Sequence, residues 1–303
     1  MKTIAILTDF TEGSKNAVAY AVELARALQA QLVLLHVHLM PMVRTDFSSG
    51  LAGAGWTDPV LYPPESLIID QEIEPILRER LKEQVQEIQA AQGQGLTVWG
   101  ELLVGRGLEA ASYYAARESV GLIVMGSKGA NSRIDRWLGT NAADVMDHAP
   151  CPVLSVPANL PFKGFSRMVY ATDHTHESIW HAHQLKAIQR ELGAEITVLH
   201  VQEEETEKTN PHWKAFCQEW AQVAPEFNFV RVYSKQVVRS IETFVQEHHA
   251  QVLIVAKQHY SFMEGLFHSS ATERLAEDNL VPVLSFPALP ENGKEPRRTI
   301  FSA

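Results

Sequence analysis

Apolar residues along this chain fall into two kinds of run that alternate, and the alternation then starts again. Ile4-Ala5-Ile6-Leu7 and Leu32 to Val37 are short continuous runs, the pattern of strands covered on both faces. Between them Ala17, Ala21, Leu24, Ala25 and Leu28 recur at helical spacing, with Ser14 placed as the cap and Thr8-Asp9-Phe10-Thr11-Glu12 as the preceding loop. Ile73, Leu77, Leu81, Val85 and Ile88 form a second helical stripe backed by Glu, Lys and Arg, which reads as core packing. Val104-Gly105-Arg106-Gly107 closes a third strand and opens a helix over Leu108 to Arg117. Leu122 to Met125 is a fourth strand, Asn141 to His148 a short helix, and Cys151-Pro152-Val153-Leu154-Ser155-Val156-Pro157 holds a fifth strand.

The same order recurs after a connector, Ala158-Asn159-Leu160-Pro161-Phe162-Lys163-Gly164, that carries turn-forming proline and glycine. Met168 to Ala171 is a strand, Thr172-Asp173 a loop, Ile179 to Leu192 a helix and Ile196 to Val201 a strand. Val252 to Val255 matches 121–124, and Val281-Pro282-Val283-Leu284-Ser285-Phe286-Pro287 matches 151–157. The chain is an internal duplication. Each copy is expected to be an α/β domain with a five-stranded parallel sheet covered by helices on both faces. The boundaries read as 1–158 and 165–288, a linker over 159–164 and a tail over 289–303.

The length of 303 residues fits two domains, and no apolar stretch approaches the roughly 20 residues of a membrane helix. Met1 to Asp9 runs straight into a strand rather than a secretory leader, so a cytoplasmic setting is expected. Acidic residues outnumber basic ones 36 to 26, which disfavours nucleic acid as a partner. Cys151 and Cys217 lack CxxC spacing and read as buried free thiols. His174, His176, His181 and His183 cluster, but positions two apart on a helix face different ways, which argues against a shared metal. His36 and His200 occupy matched strand positions, which suits a structural hydrogen bond repeated in both copies.

The chemistry gathers after the fourth strand. Gly126 and Gly129 follow it in a loop, and Gly139-Thr140-Asn141 opens the next helix, giving the spacing G-x2-G-x9-G-[ST]. Glycines admit backbone N–H groups close to an anion, and a helix start adds unpaired N–H groups with the positive end of its dipole. That is a phosphate cradle, but not a Walker loop, which needs Gly-Lys-Ser/Thr at the helix start. A plain left-handed turn is the bland alternative. Lys128 either neutralises phosphate or is solvated at the loop tip; the glycines around Arg106 serve the turn, from which Arg106 could reach a phosphate.

Leu7-Thr8-Asp9-Phe10-Thr11, Leu34-Leu35-His36-Val37, the glycine spacing and the Pro-Val-Leu-Ser-Val strand together resemble a tandem member of the universal stress protein family. The resemblance implies two Rossmann-like domains of the adenine nucleotide α-hydrolase type, paired as a pseudo-dimer through their last strands, so that Pro152 to Val156 meets Pro282 to Phe286. It implies that ATP, ADP or AMP, with or without Mg2+, binds the first copy. Asp9 and Val37 would take the adenine end, and the glycine signature the ribose and phosphates. The residues so marked are Thr8, Asp9, Val37, Met125, Gly126, Lys128, Gly129, Gly139, Thr140 and Asn141. An aspartate at a strand's carboxyl end suits this physically, although capping the next loop is as natural a role.

The second copy keeps Thr172-Asp173 and Val201 but has Ala256-Lys257-Gln258-His259-Tyr260 and Phe267 to Ala271 where the glycines belong, so it is expected not to bind nucleotide. A Gly/Pro-rich loop between Leu39 and Ile68 occurs in the first copy alone and is either a lid or a surface excursion. The expected role is a nucleotide-dependent sensor in stress response. Two alternatives stay open, a pseudo-dimeric interaction scaffold without nucleotide and a slow ATP-hydrolysing or adenylate-forming enzyme, as does further dimerisation of the tandem chain. No membrane partner is expected.

Overall fold

The computed structural model describes residues 2–39, 64–92, 95–105, 109–127, 145–174, 178–204, 209–256, 281–287 and 300–301. The first half contributes strands β1 (Thr3–Leu7), β2 (Gln31–Leu39), β3 (Val98–Gly105), β4 (Leu122–Gly126) and β5 (Val153–Val156). Its helices are α1 (Glu12–Leu28), α2 (Pro64–Gln92) and α3 (Glu109–Arg117), with a helical turn over 145–148. The second half contributes β6 (Arg167–Thr172), β7 (Glu195–Gln202), β8 (Asn228–Tyr233), β9 (Val252–Ala256) and β10 (Val283–Phe286), with α4 (Ile179–Leu192), α5 (Thr209–Val223) and α6 (Val237–Glu247).

All ten strands join one sheet in the order β3-β2-β1-β4-β5-β10-β9-β6-β7-β8. Pairing is parallel within each half and antiparallel at the single seam, where Val283 faces Ser155, Leu284 faces Leu154 and Ser285 faces Val153. These pairs are symmetric about Leu154 and Leu284, so a pseudo-twofold axis passes between them. The two terminal strands meet as the resemblance implied, and two edges that would otherwise expose unpaired backbone groups are closed.

Strand residues point alternately to the two faces, and the faces differ. On one, Ile4, Ile6, Leu32, Leu34, Leu122 and Leu154 run on without a break into Met168, Tyr170, Ile196, Val198, Ile254 and Leu284. Helices α1, α2, α4 and α5 cover this shared core with Tyr20, Leu24, Leu81, Ile88, Leu185, Ile188 and Trp220. On the other face each half has its own core, one under α3 with Ala111 and Tyr114, the other under α6 with Ile241 and Phe244. An ion pair from Lys2 to Glu191 (2.6 Å) crosses between the halves.

The connector is fixed to both halves. Asn16 of α1 donates to the carbonyls of Pro157 (2.7 Å) and Leu160 (2.6 Å), and Tyr20 donates to Pro161 (3.1 Å). From the second half, Gln251 donates to the Lys163 carbonyl (2.6 Å).

Some local expectations are corrected. Ser14 does not cap α1: Thr11 is the N-cap residue without a side-chain cap bond, Glu12 already belongs to the helix, and the buried Ser14 hydroxyl donates back to the Thr11 carbonyl at 2.8 Å. The expected loop to Ile68 is helical from Pro64, consistent with proline's tolerance in a first helical turn; residues 40–63 lie outside the described ones. Within the expected tail, Ile300 and Phe301 are buried in the shared core.

Candidate functional site

Strand β1 lies between β2 and β4, with Leu7 in register with Leu35 on one side and Met125 on the other. The chain proceeds from β1 outward to β2 and β3, then returns to lay β4 and β5 on the opposite side. That reversal opens a crevice at the carboxyl ends of the strands, where open α/β sheets receive ligands. The residues that leave β1, β2 and β4 at this edge include Asp9, Val37 and Gly126, which the three-strand register brings together.

Asp9 is exposed, and its Oδ1 accepts bonds from the Thr11 backbone N–H (3.0 Å) and the Thr11 hydroxyl (2.5 Å). The carboxylate thus caps its loop through one oxygen, while Oδ2 takes no bond among the described residues. Thr8 is buried and already bonded: its Oγ1 accepts from Phe10 N (3.1 Å), contacts Ser14 Oγ (3.2 Å) and donates to Gln84 Oε1 (3.1 Å). It braces the crevice from beneath. Met125 is buried, half-buried Val37 packs against the same core, and the N–H of buried Ser127 is spent on the Val156 carbonyl at 2.8 Å. Lys128, Gly129, Gly139, Thr140, Asn141 and Arg106 lie outside the described residues.

His36 presents Nδ1 to the Thr8 carbonyl at 2.8 Å. A carbonyl only accepts, so Nδ1 carries the proton and, in the neutral ring, Nε2 is the acceptor. Burial lowers the His36 pKa below its ordinary value, keeping the ring neutral near pH 7. Phe10 packs against it at a tilt of 31° with centroids 4.5 Å apart, its backbone at φ 61°, and the Arg80 guanidinium lies 5.9 Å from the centre of the Phe10 ring.

The family model for universal stress proteins matches residues 1–48 and 57–157. Universal stress protein YxiE of Bacillus subtilis (strain 168) is 32% identical over 155 residues, covering 50% of this chain and 95% of that protein. The chain belongs to the universal stress protein family. A universal stress protein of Thermus aquaticus, encoded in the QAH/OAS sulfhydrylase 3' region, is 29% identical over 161 residues, 51% of this chain and 98% of that one. In fold, the crystal structure of a universal stress protein from Archaeoglobus fulgidus DSM 4304 matches with a TM-score of 0.62 at 16% identity, covering 94% of this chain and 96% of that chain.

The second half of this universal stress protein repeats the framework and changes its lining. His200 Nδ1 meets the Thr172 carbonyl at 2.9 Å, the counterpart of His36 on Thr8. Where Phe10 stands in the first half, the second has His174, also left-handed at φ 57° and 4.4 Å from the His200 ring. Trp213 of α5 stacks on His200 at 5.3 Å and 23°, with Phe216 stacked on Trp213. Burial, then the neighbouring His200, push the His174 pKa down to about 4, and its buried Nδ1 has no hydrogen-bond partner among the described residues.

His181 is buried and caps α4, its Nδ1 accepting from Ser178 N (3.3 Å), whereas His183 is exposed on the other side of the helix. His176 lies outside the described residues; among those described, no group of three metal-ligating side chains is placed to hold an ion. No described helix is long and apolar enough to cross a membrane. The left-handed residues Phe10 and His174 escaped sequence reading. Their signal was slight: the same Thr-Asp-X step ends the first strand of each copy.

Proposed function

We propose that the first half binds an adenine nucleotide, ATP, ADP or AMP, in the crevice between β1, β2 and β4, and that the protein acts in stress response as a nucleotide-dependent regulator in the cytoplasm. The observation that carries this reading is the meeting of Asp9, with its uncommitted carboxylate oxygen, and of Val37 and Gly126 at the point where strand order reverses. A purine amine or ribose hydroxyl would donate to Asp9 Oδ2, and Val37 with Met125 would offer an apolar floor. Backbone N–H groups at Gly126, Gly129 and Gly139, with Thr140 and Asn141, would take the phosphates, Lys128 would add positive charge, and Mg2+ would travel with the nucleotide. Thr8, also among the expected ligand-binding positions, and His36 fix the strand ends that frame the crevice.

One site per chain follows from the same comparison of halves. Aromatic rings of His174, His200 and Trp213 pack against one another at the corresponding strand ends, which supports a second half that holds no nucleotide.

Mass spectrometry of small molecules released from the purified, denatured protein tests the proposal, beside Gly129→Val, whose branched side chain obstructs phosphate approach. About one equivalent of adenine nucleotide in the parent and none in the variant is the expected result, an equivalent bound tightly enough to survive purification. No nucleotide in either, followed by no calorimetric ATP binding, would favour an interaction scaffold instead.

A further inference from the structure

Because β5 and β10 pair antiparallel, the carboxyl edge of the first half's strands continues into the amino edge of the second half's strands. On that continued edge a cavity of about 500 Å3 opens between α1, the connector and the end of α6. Lys163, Arg167 and His249 line it together with the amides of Gln246 and Gln251, and none of the described lining residues is acidic. Neither Lys163 nor Arg167 enters an ion pair among the described residues, in a chain whose acidic residues exceed its basic ones by a formal net charge of −10. Two uncompensated cations around one cavity therefore run against the composition of the molecule.

The walls are built rather than casual. Gln251 Oε1 accepts from Ser166 Oγ (3.0 Å) and Arg167 N (3.1 Å), while its Nε2 donates to the Lys163 carbonyl. Gly164 between them takes φ +93°, a turn that an L side chain would strain. From the other side Tyr20 donates to Pro161, and its ring meets Phe162 and Phe165 edge-on. His249 sits at φ 50°, its N–H bonded to the Gln246 carbonyl at 3.0 Å. The backbone that carries all three basic side chains is thus held in place before any ligand arrives, which reduces the ordering cost of binding.

We infer that this cavity binds a small phosphorylated molecule, its phosphate held by Arg167 and Lys163 with His249 as a further donor. Two cations match a phosphate dianion in charge, and the guanidinium fork matches its oxygens in geometry. The volume suits an organic molecule rather than a bare ion. The site is separate from the crevice at Asp9 and uses residues of the connector and of the second half.

Inorganic phosphate serves as the probe. The His249 ring resonances of the full chain, assigned with His249→Gln, are followed by NMR as phosphate is added at constant ionic strength, with chloride and succinate in parallel. Saturable shifts with phosphate are expected, weakened about tenfold or more in Arg167→Gln, the size of a lost charge-assisted hydrogen bond. Lys235→Gln, at an exposed lysine elsewhere, is expected to leave them unchanged. An unsaturable response, equal binding of succinate, or full binding by Arg167→Gln would overturn the inference. A response abolished by Gly129→Val but untouched by Arg167→Gln would place the anion in the first-half crevice, and would likewise overturn it.

Discussion

Gly121 stands immediately before β4, and its carbonyl accepts the Ile300 N–H at 3.0 Å. A Cβ added there would lie 2.8 Å from the Ile300 nitrogen and 2.9 Å from its Cα. Ordinary contact begins at 3.4 Å, so in Gly121→Ala the Ile300 backbone must withdraw by about 0.6 Å or leave. Withdrawal is overpacking and costs about 1–3 kcal/mol. Departure forfeits the burial of Phe301, which is 2% exposed between Leu24, Leu122 and Leu154 of the first half and Met168, Ile188 and Leu284 of the second. Deleting that ring in Phe301→Ala is expected to cost about 3–5 kcal/mol.

The cost of Gly121→Ala is therefore capped by the docking energy of Ile300-Phe301, because the pair can always dissociate. Once Phe301→Ala has weakened that docking, Gly121→Ala has less to lose. In a chain ending at residue 299 the methyl group meets nothing from Ile300, and restriction of the unfolded chain should stabilise by about 0.4–1 kcal/mol. Urea unfolding of the parent, both single variants, the double variant and the two 299-residue chains measures each quantity. Two results would refute the reasoning: single-variant costs that add within about 0.5 kcal/mol, or an equal cost for Gly121→Ala with and without residues 300–303.

Two further outcomes are expected. As pH falls below 6.5 the unfolded chain binds a proton at His174 that the folded chain, with that pKa near 4, refuses; stability therefore falls from pH 6.5 towards 4. His174→Phe, which copies Phe10 at the same left-handed conformation, should flatten that slope in pH-dependent urea unfolding, and an unchanged slope would assign it to other groups. Burial raises the thiol of Cys151 to about 12 and that of Cys217 to about 11, so at pH 8 the thiolate fractions are about one in ten thousand and one in a thousand. Cys151 is buried, whereas Cys217, also expected to be buried, is only half-buried; Ellman's reagent should still find no fast-reacting thiol in the native protein and two after denaturation, and rapid release of one equivalent from the native state would contradict the raised pKa of Cys217.

Much of the architecture was legible because continuous apolar runs leave few alternatives. A strand such as Leu122 to Met125 has no polar face to expose, and a second set of such runs in the same order demands a second half of the same sheet. The helix Ile179–Leu192 was readable from its place between two such runs, whereas the meeting of the two last strands, Leu154 facing Leu284, was implied by the family resemblance alone. Capping was less legible, since Ser14 carries the right hydroxyl but Thr11 already holds the entry position with its own side chain tied to Asp9. Docking of Ile300-Phe301 left almost no trace, because what receives it is the missing Cβ of Gly121, and one glycine before a strand looks like any other. The gathering of Asp9, Val37 and Gly126 at one sheet edge was readable from the strand pattern, while their assignment to a ligand came from the resemblance. The ring contacts beside them were not readable, because a left-handed Phe10 or His174 has no sequence code comparable to glycine.

Duplication has kept the backbone at the end of the first strand and exchanged the ring beside it. Each half retains a histidine on the second strand bonded to the carbonyl of the threonine that ends the first, at 2.8 and 2.9 Å, and each follows it with a left-handed ring. In the first half that ring is Phe10, beneath Arg80, after an aspartate whose Oδ2 takes no bond among the described residues; in the second it is His174, packed among His200, Trp213 and Phe216. The antiparallel seam places these two crevices on opposite edges of the sheet. It also brings the amino edge of the second half, with Arg167 and His249, onto the same side of the sheet as the crevice of the first.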